Sequence, residues 1–229
     1  MPILEPTGSS SCMCGLTKKL DVNRSRGTVT EYYVDGRGRK QGSHRVWWRK
    51  SGKLRTQYQM RNGRVDRVDH IADQMGRPVV LPEGEIDVWK ACKTTVGTET
   101  KNVFVRLRVP VDARRVTPPM RINKVPYFEG NRVSKWLLAK TYKSRVSHAK
   151  VIAIEDDEGN NYLEACSFVY RRKVITYKVG SVVRSTKFDS DPEHGCGQGI
   201  HVHRYRDQCQ IWFIGPDYPV PPKIDSTTD

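Results

Sequence analysis

The sequence predicts an α+β protein dominated by antiparallel β-structure, with an N-terminal β-hairpin repeat module followed by a compact α+β domain. Three observations carry that prediction. Turn dipeptides Asp35-Gly36, Ser51-Gly52 and Asn62-Gly63 separate strand-length runs, and Asn-Gly between such runs is a strong hairpin signal. The run "KNVFVRLRVP" (101–110) places Val103, Val105, Leu107 and Val109 on one face of a strand that Pro110 ends. In the stretch 131–145, Val133, Trp136, Leu137 and Lys140/Thr141 recur at helical spacing, with Asn131 or Ser134 available as a cap.

Taken in order, residues 1–27 are rich in Pro, Gly and Ser, lack periodicity and read as a flexible tail. "TVTEYYV" (Thr28–Val34) alternates and is β-branched and aromatic, so it reads as a strand. "HRVWWRK" and "LRTQYQMR" follow as strands of the hairpin module, 28–88. Shifting the chain by 24 residues lays "VWWRKSGKL" over "HIADQMGRP" and Gly52 over Gly76, a period suited to stacked hairpins. Pro and Gly in 78–92 mark a boundary, and residues 89–214 form the second domain. There "AKVIAIEDDEGNNYLEACSF" reads as a hairpin, "KVITYKVGSVVRS" as a strand pair around Gly180, and "RDQCQIWF" as a short helix starting near Asp207. Residues 215–229 are Pro-rich and read as an extended tail ordered by a partner.

Forty basic residues against twenty-five acidic ones give the 229-residue chain a net charge of +15, which implies an anionic partner such as nucleic acid, lipid headgroups or an acidic protein surface. Residues 37–67 hold eleven Lys or Arg and one acid, Asp66. Arg45, Trp47, Trp48, Arg49, Lys50, Lys53, Arg55, Arg61 and Arg64 are therefore the candidate contacts to an anionic surface, because cations on β-ribbons follow phosphates and exposed aromatics stack on bases or sit among headgroups. The bland alternative is a solvated basic face. Adjacent Trp47 and Trp48 must point to opposite faces of one strand, which puts one in a core and leaves the other exposed or at an interface. No apolar stretch reaches bilayer length, and "MPILEPTGSSSCMCG" lacks the build of a secretion signal. The six cysteines are scattered and read as reduced thiols in an intracellular setting.

The stretch "HGCGQGIHVHRYRDQC" (194–209) gathers three histidines and two cysteines. His194, Cys196, His201, His203 and Cys209 are conceivable zinc ligands, but neither Cys-x2-Cys nor His-x3-5-His spacing is present, so the expectation is no metal and no cofactor. Its three glycines point instead to tight backbone geometry. A Walker loop, a dinucleotide fingerprint after a strand and a Gly-x-Ser-x-Gly elbow are all missing. The chain is therefore read as a non-enzyme.

Asp35, Gly36, Gly42, Trp48, Gly52, Lys53, Leu54, Asn62 and Gly63, spread over 31–80, resemble MORN-type repeats, which implies a ladder of β-hairpins used as a scaffold. Tyr177, Lys178, Val179, Gly180, Phe188 and the signature Cys196, Gly199, Ile200 and His201, together with 105–116 and 144–156, resemble a C-terminal domain of unknown function in large DNA viruses and phages. That likeness covers about 90–214 and departs from the usual pattern at Val202 and His203, where aromatics are common. "GQGIHV" is also similar to the Gly-x-Gly-Ile-Tyr strand of ADP-ribosyltransferase-like folds; His201 then stands where the family has Tyr, with Glu164 the available acid.

Together these readings imply a giant (marseillevirus-like) virus protein. It is expected to be a virion component of minor-capsid or internal-scaffold type, made in the host cytoplasm, contacting other capsid proteins and, through its hairpins, DNA or inner-membrane headgroups. The alternatives are a DNA-binding virion or chromatin-associated protein, and a degenerate NAD-binding ADP-ribosyltransferase-like domain. His201 is on these readings either a histidine satisfied in a β-rich core or the remnant of a nucleotide-binding strand.

Overall fold

The computed structural model describes residues 15–119, 121–129, 132–168 and 174–213, with backbone alone inside 121–140. The chain divides into two compact units between Val80 and Leu81.

The first unit is a meander of five antiparallel strands in sequence order: β1 (Thr17–Asn23), β2 (Thr28–Val34), β3 (Lys40–Trp48), β4 (Leu54–Arg61) and β5 (Arg64–Ile71). Strand β1 lies where a tail was expected; 1–14 fall outside the described residues. The signal was weak because "TKKLDVN" is an edge strand with most of its residues exposed, so no apolar face marks it. The β4–β5 turn is the two-residue Asn62-Gly63, with φ of +52° and +81°, as a type I′ turn requires. The Gln41 amide brackets it, donating to Asn62 Oδ1 and accepting from the Asn62 N–H, both at 3.1 Å. Left-handed glycines fall at Gly27, Gly52 and Gly76 along one end of the meander and at Gly38 and Gly63 along the other.

Among the described residues this unit holds one five-stranded sheet. Both hydrophobic clusters of the described residues belong to the second unit. Trp47 and Trp48 are both half-buried, not one in a core and one in solvent; the buried apolar side chains of this unit among the described residues are Val68, Ile71 and Val79. Cross-strand ladders tie the strands together: Tyr32, His44 and Tyr58 stack at 5.9 Å centroid spacing, and Lys40 Nζ sits 4.6 Å above Tyr32. On the other face, Gln57 and Gln59 donate to Asp69.

The second unit is built on an antiparallel sheet. Its strands are β6 (Ile86–Val96), β7 (Glu99–Val109), β8 (Arg115–Val116), β11 (Lys143–Val146), β12 (His148–Glu155), β13 (Glu164–Cys166), β14 (Thr176–Lys178), β15 (Val182–Arg184) and β16 (Ile200–His203). The spatial order is β15-β12-β7-β6-β16-β11-β8, with β13 joining β6 and β14. The hairpin β6–β7, eleven rungs long, is its spine. Val103, Val105, Leu107 and Val109 are all fully buried on one face, as their alternation predicts. They join Val88, Val151, Ile154, Tyr177, Ile200 and Val202 in the main core. On the opposite face Phe104 and Ala91 pack with Cys209 and Phe213, and the Phe104 and Phe213 rings meet edge-on at 4.9 Å.

Four expectations change here. The stretch 131–145 is not a helix: it carries β10 (Arg132–Thr141), paired with β9 (Arg121–Glu129), and then β11. A bulge between Val133 and Lys135 shifts the register, so a period-2 strand is read with helix-like spacing. Among the described residues the only helical segment is a 3-10 helix, Arg206–Trp212, so the fold is predominantly antiparallel β and its expected α part does not appear there. The turn at 156–160 is real, but β12 pairs with β7 and β15 while β13 pairs with β14 and β6; a lone bridge, Glu155–Asn161, joins the arms of the expected hairpin. Likewise β14 and β15 flank Gly180 without pairing each other. The tail 215–229 lies outside the described residues.

Candidate functional site

The stretch 194–209 resolves into a loop, the strand β16 and the start of the 3-10 helix. The loop is held by a residue from elsewhere, Arg145 on β11. Its side chain is fully buried and makes no carboxylate pair among the described residues; its guanidinium donates to three backbone carbonyls. Nε and Nη2 reach Asp189 O at 3.2 and 3.1 Å, Nη2 reaches Asp191 O at 2.7 Å, and Nη1 reaches His194 O. The planar fork of arginine suits several acceptors at once. Gly199, with φ of +149°, lies against this side chain: a Cβ there would stand 3.1 Å from Arg145 Cβ. A Cβ on Gly197 would come within 2.8 Å of Asp189 Cγ. These glycines therefore serve close packing. Arg115, whose neighbour Val116 pairs with Arg145, repeats the device, donating to the carbonyls of Pro82, Gly84, Pro110 and Ala113.

The ligand-type side chains are dispersed. His194 is exposed and faces the Asp189 carboxylate at 2.9 Å. Cys196 is exposed, with Lys143 Nζ 3.2 Å from its sulfur. Cys209 is buried in the smaller cluster, where burial pushes its thiol pKa up. His203 is committed at both nitrogens: Trp212 Nε1 donates to Nε2 at 2.7 Å, so Nδ1 carries the hydrogen and donates to Tyr142 O at 3.0 Å. Burial, against the opposing pull of that carbonyl, drives its pKa down to about 3. Among the described residues no group of three or more His, Cys, Asp or Glu is placed to hold a metal ion.

His201 Nε2 is buried without a polar partner among the described residues. Burial first, then the nearby cations Lys143, Lys90 and Arg145, hold its pKa well below the ordinary value. Strands β6 and β16 share one rung, His203–Trp89, and Lys90 Nζ takes the His201 carbonyl at 3.1 Å. Glu164, the acid available to an NAD-binding reading, pairs with Lys178 at 3.0 Å.

The anionic-contact candidates separate into two sets. Arg45 pairs with Glu31 at 3.7 Å and Arg61 with Asp66 at 3.6 Å. Arg55 lies over Trp48 at 4.4 Å from the ring centroid, and Trp47 pairs across to Val29 and Leu54. Arg64 stands at the β4–β5 turn, opposite Arg61. Arg49, Lys50 and Lys53 are exposed on the β3–β4 turn. Beside them lies the β1–β2 turn with exposed Arg24 and Arg26, fixed by the Arg49 N–H donating to Gly27 O at 2.7 Å. None of these five cations makes an ion pair among the described residues. Arg24 and Arg26 escaped the sequence reading because they fell in the presumed tail; the "NRSRG" turn between two short polar runs was the available signal.

Residues 77–209 match the model of a family of unknown function (DUF5758). No curated protein and no solved structure matches the chain. Among the described residues no helix is long and apolar enough to cross a membrane.

Proposed function

The chain belongs to this family of unknown function, and we propose that it is a non-catalytic structural protein whose basic hairpin module faces an anionic surface. The observation that carries this reading is the way the chemically capable side chains of 194–209 are used. His203 gives both nitrogens to Tyr142 and Trp212, Cys209 lies in a hydrophobic cluster, and the loop glycines pack against Arg145 and Asp189. A catalytic site instead needs convergent groups left available to a substrate.

The setting we assign is a large DNA virus, on the likeness of Cys196, Gly199, Ile200 and His201 to a virus and phage domain and of 31–80 to MORN-type hairpins. There the protein is a virion component of minor-capsid or internal-scaffold type, made in the host cytoplasm and packed against other capsid proteins. Quantitative mass spectrometry of purified particles tests this. High copy number is expected, together with no heat of NAD binding to the purified chain. Absence from particles overturns the structural assignment, and NAD binding that His201→Ala abolishes overturns the non-catalytic one.

A further inference from the structure

The ten ends of the five-stranded sheet do not carry charge evenly. At one end of the meander three cations are engaged while Arg37 stands exposed: Arg39 binds Asp35 at 2.9 Å, Arg61 faces Asp66, and Lys40 sits over Tyr32. At the other end the turns "NRSRG" (23–27) and "RKSGK" (49–53) stand side by side, joined by the Arg49–Gly27 hydrogen bond. Arg24, Arg26, Arg49, Lys50 and Lys53 are all exposed there, with no acid in either turn. The third turn at that end, 73–77, neutralises itself: Asp73 accepts from the Arg77 N–H and side chain, both at 2.9 Å.

These tips are built. Asn23 Oδ1 accepts from the Arg26 N–H and the Ser25 hydroxyl, each at 2.9 Å. Across the second turn Trp48 N–H donates to Lys53 O at 2.9 Å and Gly52 N–H to Trp48 O at 2.8 Å. The charges therefore ride on braced turns at the ends of paired strands, so less order must be imposed on binding.

We propose that the paired tips Arg24/Arg26 and Arg49/Lys50/Lys53 dock on the phosphate backbone of duplex DNA. This rests on the reading of the hairpin module as the part that faces an anionic surface, and it names the partner. Three features select it. Three of the five cations are arginines, whose planar fork matches phosphate oxygens. The tips hold Asn, Arg, Ser, Gly and Lys alone, with no aromatic or aliphatic side chain to enter a headgroup layer or to stack on unpaired bases; Trp48, nearest in sequence, is covered by Arg55. The two turns are two strand spacings apart, about 10 Å, which is roughly three nucleotide steps along one strand of a duplex. Contacts of this kind position the protein and read no sequence.

The test uses the full chain and a fluorescent 20-base-pair duplex of mixed sequence, titrated from 50 to 200 mM salt. Five phosphate contacts give a slope of log affinity against log salt of about −4.5, a loss of several hundredfold across that range. The double variants Arg24→Ala/Arg26→Ala and Arg49→Ala/Lys50→Ala each flatten the slope by about 2. Arg37→Ala/Arg39→Ala, at the opposite end, leaves it unchanged, and all three keep the wild-type circular dichroism and melting point. Unaltered slopes in the tip variants overturn the proposal. So does an equal effect of the opposite-end variant, or preference for phosphatidylserine vesicles over the duplex. A chain abundant in particles that ignores DNA removes this inference and keeps the structural reading; a chain absent from particles whose tip variants lose DNA does the reverse.

Discussion

Replacing Arg145 by Met keeps an unbranched, buried stem and deletes the guanidinium. Three backbone carbonyls, of Asp189, Asp191 and His194, then lose their donor. Leaving a buried acceptor unpaired costs about 1–3 kcal/mol each, about 3–9 kcal/mol together. Removing a buried charge returns part of this, because burying a cation costs several kcal/mol. The expected net destabilisation is about 3–5 kcal/mol, a large share of a typical domain's stability and on the order of 10 °C in melting temperature. Arg145→Lys is expected to fall in between, since an ammonium is a point donor and cannot span the same three acceptors. Urea unfolding followed by the ring signals of Trp89 and Trp212 gives the magnitude, and hydrogen exchange over 185–199 gives the location. An Arg145→Met protein within about 0.5 kcal/mol of wild type, with that loop equally protected, would refute the reasoning.

Gly197→Ala forces Asp189 to move and is expected to destabilise by about 1–3 kcal/mol, whereas Gly36→Ala, which meets nothing within 4 Å, should be near neutral; paired denaturation curves check both. His203 has a folded pKa of about 3 against about 6.5 unfolded, so the unfolded chain binds the proton first. Its contribution is complete above pH 6.5 and falls by about 1.4 kcal/mol per unit as pH drops toward 3; a His203→Phe variant should show a shallower decline over that window in stability-versus-pH measurements. Asp156 titrates lower: burial raises its pKa, but bonds from Tyr162, Asn160 and Glu158 outweigh this and hold it at about 2. Its contribution is lost as pH falls from about 4 toward 2, so Asp156→Asn should be most destabilising near neutrality and least near pH 2. Among the cysteines of the described residues, native thiol alkylation should label exposed Cys196 first and spare Cys92, whose pKa burial raises to about 12, and Cys209; peptide mapping after brief iodoacetamide treatment reads the order.

What was legible in the sequence was whatever is decided locally. Strands β2, β4 and β7 follow from period-2 runs between turn dipeptides, and Asn62-Gly63 forms the expected two-residue turn. The loop after β12 was legible too, since Asp156 and Gly159 make it. What pairs with β12 was not, because β7 and β15 are brought to it by core burial and not by the intervening turn. β10 misled because a single bulge breaks alternation. Arg145 left no trace, as one arginine in "KSRVSHAK" looks like any surface cation until the three carbonyls it serves are assembled around it. The cluster 194–209 looked like a ligand set because sequence records proximity along the chain, while side-chain direction sends His203 under the 3-10 helix and Cys196 into solvent.

The five-stranded meander has a further consequence, for how such a protein can change over generations. Its left-handed glycines Gly27, Gly52 and Gly76 recur 25 and 24 residues apart, one hairpin per interval, and each hairpin widens the sheet by about 10 Å. Since each strand pairs only with its neighbours in sequence, copying or deleting one such segment lengthens or shortens the ribbon in fixed steps. The module is thus a ruler with a constant graduation, and the spacing between whatever its two ends touch can be reset by gene duplication alone.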